Sequence, residues 1–137
     1  MLMSVVFANA QRNTNRESAL IFRHYVHNFG KLDYLEKVEH NFKFKEVQEH
    51  PVLYQDCYVI WKGRVSNLVI GENSINFDLL VGYETEQVLE GIVPVQLNFA
   101  AHIDPAFPIE VLGRIEPEGN QIYLEAKSIH QFIPEEG

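Results

Sequence analysis

Four groups of side chains in this sequence have types and spacings that could do chemistry. His24 and His27 stand three residues apart, a spacing that sets two imidazoles on one helix face beside Arg23. A first-row metal needs three or four convergent ligands, and the local sequence supplies two, so the pair reads as solvated histidines and no metal is expected. Asp78, Glu84, Glu86 and Glu90 gather carboxylates that could hold Ca²⁺ or exchange protons, but they lack EF-hand spacing. They read as loop charge. Tyr58, Lys62 and Arg64 recur at strand spacing, an aromatic and two cations that could stack and clamp a single-stranded nucleic acid. Cys57 has no Cys-His signature or oxyanion loop beside it, and at the start of a strand it reads as a small apolar residue. Exposed in an oxidising compartment, it could instead pair between chains.

The elements that must carry these groups change character along the chain. Thr14-Asn15-Arg16-Glu17 fits a capping box, and Ile21, Phe22, Tyr25, Val26 and Phe29 follow at helical spacing up to Gly30. A helix over about 15–29 is expected. A second helical segment is expected over 31–39 from Leu32, Leu35 and Val38, and a third short one over 44–49, closed by His50-Pro51. From Cys57 the period becomes two. Val59, Trp61, Gly63 and Val65 share one face. Four further alternating runs follow, over Ile75–Val81, Val93–Phe99, Ile109–Ile115 and Ile122–Ala126. Glu118-Gly119-Asn120 marks a hairpin. Gly63 and Gly113 fall at inward positions, as at the bends of a small barrel. Trp61 reads as core.

The reading is a mainly β domain with N-terminal helices, its five strands forming an OB-type barrel, with an SH3-like barrel or plain sandwich as alternatives. Residues 1–10 read as a signal-peptide remnant, 11–50 as the helical segment, 51–133 as the barrel and 134–137 as a frayed tail. Ala8-Asn9-Ala10 suits a signal-peptidase pocket, which predicts export; a retained Met1 would mean a cytoplasmic protein. No run approaches the ~20 apolar residues of a membrane span.

Composition narrows the function. The 137 residues carry 11 Lys and Arg against 19 Asp and Glu, a net charge of −8. Residues 57–132 hold four basic and ten acidic residues, so the barrel carries most of the negative charge. Phosphate would meet a repulsive field there, which makes nucleic acid an unfavoured partner. One Cys rules out a disulfide framework within the chain. There is no P-loop, GxGxxG, HExxH or Ser-centred elbow, and no enzyme or cofactor is expected.

Phe44, Val47, Pro51 and Tyr54 precede the first strand, Val59, Trp61, Gly63 and Val65 run along it, and Ile103-Asp104-Pro105 and Val111-Leu112-Gly113-Arg114-Ile115 follow. This pattern, over about 42–132, resembles the OB-type domains of bacterial envelope proteins, especially the Slp-type outer-membrane lipoproteins. The resemblance implies an envelope protein and no reaction. Asp56 stands where that family often has Gly, and the lipidated Cys is missing. The expected role is non-enzymatic, through a protein or small-ligand contact. The expected contact surface is the outer side of the second and third strands, Asn76, Asp78, Leu80, Ile92, Pro94 and Gln96, with Ile60. Leu112 is also expected outward. Burial of this patch under the N-terminal segment would remove it. The alternatives are a single-stranded nucleic-acid module using Tyr58, Lys62 and Arg64, and a metal-dependent activity at His24 and His27.

Overall fold

The computed structural model describes 37–38, 40–131 and 133, and the backbone of 25–27. The expected signal remnant, the Thr14 capping box, Gly30, His24 and the 134–137 tail lie outside the described residues. Tyr25–His27 form a short strand, β1, paired with Ser128–His130. The helix expected over 15–29 therefore does not extend through them. The same apolar and aromatic residues that make a helical stripe also have high strand propensity, and a sheet edge supplies partners for their backbone. Lys37 and Val38, inside the second expected helix, are likewise not helical.

The barrel strands fall where the period of two predicts them. They are β2 (Tyr58–Ile70), β3 (Ile75–Val81), β4 (Gly91–Leu97), β5 (Ile109–Glu118) and β6 (Gln121–Gln131). The order is β1-β6-β4-β3-β2-β5, and β5 pairs back onto β6 to close the cylinder. β4 and β6 run parallel, from Val95↔Leu124 to Leu97↔Ala126, while the other pairs are antiparallel. This closed five-stranded order is the OB fold, not the SH3-like or sandwich alternative. Gly119-Asn120 makes the tight β5–β6 turn, with Gly119 at φ +65.

The inward side chains fill the interior. Val59, Trp61, Phe77, Leu79, Val95, Ile115 and Leu124 are all buried in one cluster. β2 serves two partners: its first half pairs with β5 and its second with β3. Gly63 is the change-over residue, opposite both Val81 and Ile109. A Cβ there would overlap the Leu80 backbone carbonyl. Two irregularities bend the ladders. β2 shifts register between Ser66 and Val69, with Asn67 at φ +54, and β5–β6 shifts between Leu112 and Gly113.

The expected short helix is present as α1 (Phe44–Glu49). It starts with the Glu46 carboxylate accepting from the Lys43 N–H at 3.1 Å and is followed by a 3₁₀ turn over Pro51–Tyr54. α1 buries Phe44 and Val47 in the core. The Phe44 ring meets Trp61 edge-on at 5.4 Å, and Trp61 Nε1 donates to the Phe42 carbonyl at 2.8 Å. Trp61 is therefore core, as its alternation predicts. Gly91 lets the Phe44 ring lie against β4, because a Cβ there would collide with it. Cys57 is half-buried against the core.

The two glycines differ in what opposes a methyl group: fixed backbone at Gly63, a movable ring at Gly91. Gly63→Ala is expected to destabilise the fold by about 3 kcal/mol or more in urea denaturation, and Gly91→Ala by about 1–3 kcal/mol. In a Phe44→Ala background the Gly91 substitution should cost much less, since its obstacle is gone.

Candidate functional site

The antiparallel β3–β4 register pairs six of the expected contact residues directly: Asn76 with Gln96, Asp78 with Pro94, and Leu80 with Ile92. Their inward neighbours Phe77, Leu79, Val93 and Val95 are buried, so the six share the outer face. Asn76, Asp78, Pro94 and Gln96 line one open groove of about 390 Å³. Leu80 is half-buried and Ile92 is 53% exposed farther along the same face. A smaller hollow of about 160 Å³, lined by Ile92, Gln121 and Gln48, adjoins the groove at Pro94.

Three groove residues come from elsewhere: Asn67, Glu118 and Tyr123. The β2 irregularity brings Asn67 in, and its side-chain N–H donates to Asp78 at 2.9 Å. Its sequence signal is a polar residue in the middle of Val65-Ser66-Asn67-Leu68-Val69, where strict alternation fails. Tyr123 was legible only as an outward residue of the last strand; the parallel β4–β6 pairing places it beside Pro94 and Gln96.

Ile60 does not join this site. It pairs with Leu112 on β5, and its backbone N–H and carbonyl are both bound by the Asn41 side chain at 2.8 Å, which covers the strand edge. Leu112, expected outward, is 3% exposed. At this end both faces of β5 and β6 are buried, including Glu110, Ser128 and His130, so alternation does not separate core from surface. His130 Nδ1 lies 3.7 Å from Glu110 there.

The aromatic and basic trio shares the outer face of β2 but forms no continuous cationic stripe. Lys37 Nζ lies 5.8 Å from the Tyr58 ring centre, and Lys62 faces Glu110 across the ladder. Arg64 is a strut. It donates to the Ala106 carbonyl at 3.0 Å and the Glu84 carbonyl at 3.2 Å, with Glu86 at 3.8 Å, tying the β3–β4 and β4–β5 connections to β2. Of the acidic loop residues, Glu86 faces Arg64 with its carboxylate and Glu84 holds it through its backbone. No cluster of three His, Cys, Asp or Glu able to hold a metal occurs among the described residues, which include neither His24 nor the His27 side chain.

Arg114 neutralises the neighbouring outer face by binding Glu116 and Glu125, and Lys127 adds an ion pair to Glu125 at 3.4 Å. Burial alone would lower the Arg114 pKa. The Glu116 hydrogen bond and the fields of both carboxylates outweigh it and raise the pKa above its ordinary value. Among the described residues, groove charge is left to Asp78 and Glu118, and the groove offers carboxylates and carboxamides without a cation.

The model of the spirochaete C-terminal OB fold family matches residues 36–130 of the chain. No curated protein matches it. Among solved structures, one from a study of a replication protein A heterotrimer bound to single-stranded DNA is 17% identical. It covers 56% of this chain and 58% of its own, with a TM-score of 0.44. A candidate aspartyl-tRNA synthetase from Leishmania major Friedlin is 14% identical, covering 76% of this chain and 26% of its own, with a TM-score of 0.47. The chain thus spans less than two thirds of either solved chain.

If Arg64 is a strut, Arg64→Ala should lower stability by about 1–3 kcal/mol in denaturant titration. Hydrogen exchange should speed up in 82–90 and 104–107 while the β3–β4 ladder amides keep their protection.

Proposed function

The chain belongs to the spirochaete C-terminal OB fold family, and from that premise we propose that it is a non-enzymatic binding module of the bacterial envelope, seating its ligand on the outer face of β3 and β4. The observation that carries this reading is the groove. It gathers Asn76, Asp78 and Gln96 on the antiparallel β3–β4 ladder, with Asn67 of β2 bonded to Asp78, whereas the other candidate groups are dispersed or already engaged. Such a surface binds through hydrogen bonds with polar groups held by the sheet.

The envelope placement rests on Ala8-Asn9-Ala10 and on the resemblance to Slp-type proteins. The motif residues of that resemblance have structural work in the fold. Phe44 and Val47 plug the barrel, and Tyr54 packs on Phe42 at 4.8 Å. Asp104 receives Gln131, whose carboxamide accepts from its N–H at 2.9 Å and donates to its carbonyl at 2.8 Å. Asp56, where that family often has Gly, sits at φ +67, a conformation Gly adopts freely and Asp tolerates. The shared pattern therefore speaks to a barrel design, and export needs its own test. Protein purified from its native cell should begin at Gln11 on N-terminal sequencing; a retained Met1 contradicts export.

The binding face is tested by amide chemical-shift mapping of the ¹⁵N-labelled chain. Small neutral compounds bearing amide or hydroxyl groups should perturb amides of 75–81 and 91–97. A short oligothymidylate at low salt should leave those amides unmoved. Salt-sensitive oligonucleotide shifts centred on Tyr58 and Lys62, with no response of β3 and β4 to any neutral compound, would overturn the reading in favour of nucleic acid.

A further inference from the structure

The chemistry of the groove narrows its ligand, and we infer that it takes a neutral saccharide; this rests on the groove reading above. Asn67, Asn76 and Gln96 each present an amide that both donates and accepts, and Asp78 and Glu118 only accept. Vicinal sugar hydroxyls are matched donor–acceptor groups at close spacing, which carboxamides and carboxylates on alternate strand positions can meet. The residues from three strands are already oriented. The β3–β4 register sets Asn76 beside Gln96, and the Asn67 N–H holds Asp78 at 2.9 Å, leaving that carboxylate further acceptor capacity. Tyr123 and Pro94 supply ring surfaces for the C–H faces of a pyranose, with a phenol at the polar edge.

Charge decides against anionic small ligands. Among the described residues the groove lining holds two carboxylates and no Lys, Arg or His, so a phosphate or carboxylate would sit beside like charge with no bidentate partner. The volume of about 390 Å³ lies at the lower end of ordinary small-molecule sites, which suits one or two sugar rings better than a longer polymer embedded along its length. An open, solvated groove also limits affinity, because water competes for every hydroxyl contact.

The test is a titration of the ¹⁵N-labelled full chain with N,N′-diacetylchitobiose, maltose and glucose 6-phosphate. At least one neutral disaccharide should shift the side-chain amide signals of Asn67, Asn76 and Gln96 and the ring signals of Tyr123, with a dissociation constant of about 1 mM or tighter. Glucose 6-phosphate should not. Tyr123→Ala should weaken binding about tenfold while Tyr123→Phe retains most of it, separating the ring face from the fold. Asn76→Ala, at an exposed position, should weaken it several-fold with spectral dispersion unchanged. The inference is overturned if neither disaccharide moves these signals at about ten times that concentration, or if the phosphorylated sugar binds as tightly. Groove shifts produced by simple amide compounds but by no saccharide would sink the saccharide and keep the seat. No groove response to any of these compounds would sink both.

Discussion

Gly63 carries a constraint on which the rest of the molecule depends. One strand must serve two ladders, pairing with β5 on one stretch and with β3 on the next, and it changes partner at the residue opposite both Val81 and Ile109. The neighbouring strand comes so close there that the Leu80 carbonyl occupies the space of a side chain. Because the obstacle is backbone, no rotamer change relieves it. Closure around this point turns a twisted sheet with exposed edges into a cylinder. It also fixes which face of β3 and β4 looks outward.

The openings of that cylinder are then occupied by residues outside the groove. α1 inserts Phe44 against Trp61, and the missing side chain at Gly91 admits the ring. Gln131 holds the long β4–β5 connection by its backbone, and Arg64 ties two connections to β2. On β5 and β6 the outer charges largely cancel within the Arg114 network. The polar groups left to face solvent on a rigid ladder are mostly those of the groove. Their preorganisation follows from barrel closure and not from a dedicated binding loop.

The barrel was legible in the sequence because its strands are wrapped on one side by core and on the other by water, the condition under which alternation reports burial. Asn76, Asp78, Pro94 and Gln96 could be assigned to one face on that basis. Leu112 could not, because β5 is buried on both faces where it meets β6, and Tyr25–His27 could not, because a stripe of aromatic and branched residues satisfies a helix and an edge strand equally well. Asn67 entered the groove through an irregularity, and Tyr123 through a parallel pairing between strands distant in sequence. Neither follows from local periodicity. Arg64, legible as an exposed cation, is a strut because two loops come back to it.

The central claim is that the β3–β4 register presents a single polar face. Cross-strand nuclear Overhauser effects on the intact chain report that register most directly. The account predicts backbone connections between Asn76 and Gln96, between Asp78 and Pro94, and between Leu80 and Ile92. A pattern displaced by one residue, with Asn76 opposite Val95, would turn one strand's polar set toward the core and contradict the account.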